Sequence, residues 1–156
     1  MTRWLSLGSM AMAAVGIFVG FYFWFGNDQK LALAIVTTVT VGVVGLLAFL
    51  RHFVFHKADA ARMGWETDRP EWAYEVGFAN LAFGVMGLVS VAALGVQAQA
   101  LALLGYAVYL AQAAALHGYQ YAHSKQRSAD KLWRVVIGTA SFAAVMAFFA
   151  VASLVS

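Results

Sequence analysis

The chain has 156 residues, 63% of them hydrophobic and 11% charged, with a mean hydropathy of +0.76. Soluble domains carry about 25% charged residues, so a soluble fold and a disordered tail are both excluded, and the length allows one membrane-embedded domain over residues 1–156. A net charge of +3 would invite a nucleic-acid reading in a soluble protein, but the basic residues sit in short loops between apolar runs, and the absence of Cys removes disulfides, thiolate metal sites and thiol nucleophiles.

A helix crossing the hydrocarbon needs roughly 17–25 mostly apolar residues. Five stretches qualify, so the expected fold is all-α, a polytopic bundle of five transmembrane helices. Span one runs from about Trp4 to Phe25 and span two from about Leu31 to Phe55. Span three covers about Ala73 to Gly95, span four about Ala100 to Ala122, and span five about Leu132 to Val155. Span one follows Arg3, as a secretory signal would. Its apolar run is too long for one, though, and it ends in Phe21-Tyr22-Phe23-Trp24-Phe25 instead of small residues. It reads as a retained helix.

Lys and Arg alternate between loops. Arg3 precedes span one, and Lys30 alone marks the first turn. Arg51, Lys57, Arg62 and Arg69 gather after span two, the turn at Val96-Gln97-Ala98-Gln99 has none, and Lys125, Arg127, Lys131 and Arg134 precede span five. The positive-inside rule then puts the N-terminus inside and the C-terminus outside. Trp4, Trp24, Trp65, Trp72 and Trp133 fall at expected interfaces. The one long loop, about His56 to Trp72, is cytoplasmic on this reading. Within it Lys57 to Arg62 fit a short interfacial helix that Gly64 ends, before Asp68-Arg69-Pro70 re-aims the chain.

Small residues recur at helical spacing: Gly16 and Gly20, Gly42 and Gly45, Gly77, Gly84 and Gly87, then Ala107, Ala111 and Ala115. Such stripes let helices approach where lipid gives no hydrophobic drive. The expected use is packing within the chain, with a homo-oligomer or a membrane-complex partner as the alternative. Met10, Met12, Met86 and Met146 read as gap-fillers.

A central carboxylate costs at least ~2.5 kcal/mol to insert, so ionisable residues inside spans need a reason. Glu75 lies one turn inside span three, His52 one turn inside the end of span two, and His117 two turns inside the end of span four. At 1.5 Å per residue the three share one layer on the cytoplasmic side. His56 follows His52 at i+4, while Gln120 and Tyr121 extend a polar stripe from His117. Asn80 and Gln112 stand deeper. His123 belongs at the headgroup level. A pocket for a small ligand, a proton or a cation fits this set, and so does a simple helix-registering role.

As donors, His52, His56, Glu75 and His117 suit a divalent metal. A Glu–His pair could equally relay protons, and the same groups could grip a quinone or lipid headgroup. No phosphate loop, nucleophile elbow or paired-carboxylate motif supports a hydrolase or kinase. The outer halves of spans three to five offer little beyond Ser90, Ser141 and Ser153, and Thr37, Thr38 and Thr40 are the outer-half candidates on span two, which argues against an open channel.

The segments His52-Phe53-Val54-Phe55, Gly64-Trp65 and Glu75-Val76-Gly77-Phe78-Ala79-Asn80-Leu81-Ala82-Phe83-Gly84 resemble a family of small bacterial integral membrane proteins and, more distantly, the DoxX-like family. The resemblance covers about His52 to His117 and aligns His52, Glu75, Asn80 and His117 with that family's polar positions. It departs at His56, where the family favours Pro. It implies a helical bundle in the bacterial inner membrane with a loose connection to quinone-linked redox metabolism.

Overall fold

In a computed structural model, which describes residues 2–63, 69–124 and 127–155, five helices are long and apolar enough to cross a membrane: Thr2–Phe25, Gln29–Val54, Glu71–Leu94, Val96–His123 and Val135–Val155. This is the build of a multi-pass membrane bundle, and each helix matches an expected span to within a few residues. Gly64, Trp65, Asp68 and Lys125 lie outside the described residues. The end of the bundle at which the chain starts is called here the near end, and the other the far end.

Local chemistry explains the turns. Asn27 takes a left-handed φ of 64° between spans one and two, a conformation Asn tolerates better than most residues. Asp28 then caps span two, its carboxylate accepting from the Leu31 N–H at 3.0 Å. Between spans three and four the turn is Gly95 alone, at φ +84°, where a side chain would be strained. Val96 to Gln99 were expected to form this turn. They are instead the first turn of span four, which carries Gln99 into the bundle.

Span two is the hub. Half of its most apolar stretch is buried, against 22–28% for the other spans. Its Ala32, Leu33, Val36 and Val41 share one buried cluster with Ala100, Leu103, Tyr106 and Ala107 of span four and Met146, Phe149 and Ala150 of span five. The glycine stripes serve this hub. Gly16 of span one sits against Val39 and Gly20 against Val36, so that pair is used inside the chain. A Cβ on Gly45 would meet the Gly84 α-carbon at 3.1 Å, and one on Gly84 would meet the Gly42 carbonyl at 3.2 Å. Spans two and three therefore touch backbone to backbone, which only glycine permits.

Span two is not a uniform α-helix. Widened π-helical turns occupy Thr37–Val43 and Leu50–Val54, and another ends span three at Ser90–Leu94. Such turns are uncommon and often mark functional positions.

Candidate functional site

The near end of span two carries Arg51 and His52 on its second π-turn. The helix breaks at Phe55, with φ −108° and ψ 25°, and the short helix His56–Met63 folds back beneath it. This return brings Asp59, only 3% exposed, up against span two. One Asp59 oxygen lies 3.2 Å from His52 Nδ1. The other lies 3.7 Å from Arg51 Nε, and Arg51 Nη2 is 3.2 Å from His52 Nε2. A guanidinium can only donate, so His52 Nε2 accepts and Nδ1 carries the proton toward Asp59. The imidazole is thus held at both nitrogens between a carboxylate and a guanidinium.

His117, half-buried on span four, is close enough for its charge to interact with that of His52. Gln120, one turn on, hydrogen-bonds the His117 ring. The two histidines expected to share a layer stand within electrostatic reach of each other.

The other expected members go elsewhere. His56 donates Nδ1–H to the Phe53 carbonyl at 3.0 Å and accepts from the Tyr74 hydroxyl at 3.4 Å, ring against ring. It belongs to the junction of spans two and three. Glu75 is exposed on the outer face of span three, and Gln112 is exposed on span four. Tyr121 is half-buried near the end of that span. The carboxylate beside His52 is Asp59 and not Glu75. Equal depth on two helices placed Glu75 in the right layer, but its rotation about the helix axis turns it outward. Hence His52, His56, Glu75 and His117 do not converge as one donor set. Among the described residues no group of three or more His, Asp or Glu side chains is arranged to hold a metal ion.

Asn80 is buried deeper in the bundle. It donates to the Val76 carbonyl at 2.8 Å and to the Tyr109 hydroxyl at 3.2 Å, and its carbonyl accepts from the Tyr106 hydroxyl at 2.8 Å. Tyr106 is 1% exposed, stacks with Tyr109 and packs at a tilt against Phe83. It lies within electrostatic reach of Arg51, which links this network to the near-end cluster.

Sequence reasoning missed Asp59, Arg51, Tyr106 and Tyr109 as site residues. A signal existed for the tyrosines. Tyr normally sits at span ends, and two in mid-span at i, i+3 demanded a partner for each hydroxyl. Asp59 gave weaker notice: it is the only acid in a short helix whose remaining charges are basic.

Comparison with curated proteins and with solved structures gives no match. A family model, however, covers residues 3–154 of the 156, and on that match the chain belongs to a family of unknown function, DUF6790.

Proposed function

We propose that this is an inner-membrane protein of a bacterium, with its N-terminus inside and its C-terminus outside. On this reading its near, cytoplasmic end binds a small polar ligand bearing an anionic group, together with a proton, in a transport or sensing role. One observation carries the reading: Asp59, buried, orients His52 through Nδ1, while Arg51 covers the basic nitrogen Nε2. An anion arriving at this cluster competes for the guanidinium. Once Arg51 turns to it, Nε2 is uncovered and its Asp59-oriented ring can take up a proton. His117 stands within electrostatic reach of His52 and adds a second imidazole. Arg51 makes a bare cation a poorer guest than an anion.

The test is native mass spectrometry with elemental analysis on gently purified protein. Wild type is compared with His52→Gln and Glu75→Gln. A small molecule held by wild type and Glu75→Gln but lost from His52→Gln supports the reading. Protein that is empty in all three, and equally stable, makes the cluster a helix-registering device. The orientation has its own check: a reporter fused after Ser156 should be active only outside the cytoplasm.

A partner-subunit role is a second reading, favoured by the outward-facing polar groups. Glu75 and Gln112 are exposed on helices that lipid would otherwise surround, and a polar group facing hydrocarbon is costly unless another chain meets it. Under this reading Gln112→Leu dissociates an assembly seen by native electrophoresis and leaves the near-end site occupied.

A further inference from the structure

Hydroxyls in buried helices ordinarily bond a carbonyl one turn back. Ser9 does so with Leu5 at 2.8 Å, Thr40 with Val36 at 2.7 Å, and Ser90 with Gly87 at 2.8 Å. Thr37 departs from the rule. It is 0% exposed, and its Oγ1 has no hydrogen-bond partner among the described residues. Gln99, brought inside by the single-residue turn at Gly95, is 6% exposed, and its Oε1 likewise has none. A buried polar atom without a partner costs about 1–3 kcal/mol, so two in one small bundle need a reason.

They lie at one level. On spans two and three, Gly84 meets Gly45 and Gly87 meets Val41, so continuing the antiparallel register sets Ser90 beside Thr38. On spans three and four, Asn80 and Phe83 meet Tyr106 and Tyr109, which sets Ser90 beside Gln99. Thr37 and Gln99 therefore stand within about one helical turn of each other along the bundle, at 1.5 Å per residue. Their neighbours are packed in the same buried cluster: Val36 and Val41 flank Thr37, and Ala100 and Leu103 follow Gln99. Two of the widened turns, Thr37–Val43 and Ser90–Leu94, begin at this level.

The sequence carries no Asp, Glu, Lys or Arg between Lys30 and Arg51, between Glu75 and Lys125, or after Arg134, so the level is neutral. Divalent cations prefer carboxylates and find none here. An amide oxygen can only accept, so what it lacks is a donor or a positive centre.

We infer that Thr37 and Gln99 form an internal site in the far half of the bundle for one small, positively polarised guest, a water molecule or a monovalent cation. This site is separate from the near-end cluster and stands whatever that cluster binds.

The test is a double-mutant cycle on thermal unfolding in detergent, using Thr37→Val, Gln99→Leu and the pair. Thr37→Val is isosteric, so it removes a hydroxyl without opening space. If the two atoms share a guest, each single variant lowers Tm by about 2–4 °C, and the double variant loses no more than the worse single. Replacing sodium chloride with N-methylglucamine chloride separates the guests. A wild-type Tm that falls, with Thr37→Val unresponsive, identifies a cation; an unchanged Tm identifies water. Two outcomes overturn the inference. Either variant raises Tm, as expected when a dry, unpaired polar atom is removed, or the two losses simply add.

Discussion

The middle and the near end of span two are held in opposite ways. Through its middle, at Gly42 and Gly45, it meets span three backbone to backbone, with no polar side chain among the nearest atoms. At its near end it is held by charge, with Arg51 and His52 both reaching Asp59 on a helix that folds back to supply it. The first contact is rigid because no rotamer can relieve it. The second can be exchanged, because a guanidinium or an imidazole can change partners without moving a helix. A bundle whose middle is fixed and whose end is exchangeable is suited to binding a guest at that end.

This contrast orders the expected effects. The largest belongs to Gly84→Leu, whose side chain would have to displace the Gly42 carbonyl. A loss of about 3 kcal/mol or more is expected, the upper end for overpacking, read as loss of folded protein on size exclusion. Gly8→Leu, with nothing within 4 Å of its Cβ, should cost nothing. Equal losses at the two positions would break the backbone-contact account.

Asp59→Asn comes next. Removing one partner of a fully buried pair costs 3–5 kcal/mol, discounted here to about 2 kcal/mol because the Arg51 side chain is 18% exposed. The loss should appear in thermal unfolding together with release of the near-end ligand. An unchanged Tm would mean that the short helix does not hold the site. Asn80→Leu removes the bonds to Tyr106 and Tyr109. Intramembrane side-chain hydrogen bonds average about 0.6 kcal/mol, so a loss of about 1 kcal/mol is expected, with near-end binding retained. Glu75→Gln should be the mildest. Its carboxylate faces outward, so monomer stability should not change, and altered migration on a native gel alone would assign Glu75 to a partner contact.

Hydropathy made the five spans legible within a few residues, since hydrocarbon thickness sets a length that any crossing helix must meet. Depth was legible in part: counting residues from the span ends put His52 and His117 at matching depths, and the structure leaves them within electrostatic reach of each other. Rotation was not. In a span apolar on every side, no amphipathic stripe reports which face looks inward, so Glu75 and Gln112 read as interior and lie exposed. Asp59 was hidden for another reason. Its burial depends on the chain breaking at Phe55 and returning, a contact between segments that local pattern does not encode.

By itself, then, the sequence determined an all-helical membrane bundle, its five crossings, and the short list of polar residues that any function must draw upon. Physics requires those features of every chain this apolar, whatever packs against what. The tertiary structure alone decided which of the polar residues meet. It chose Asp59 over Glu75 for His52, carried Gln99 inside on the one-residue turn at Gly95, and joined Asn80 to Tyr106 and Tyr109. Each of these rests on how one helix is turned against another, which close packing of glycines and side chains settles and composition does not.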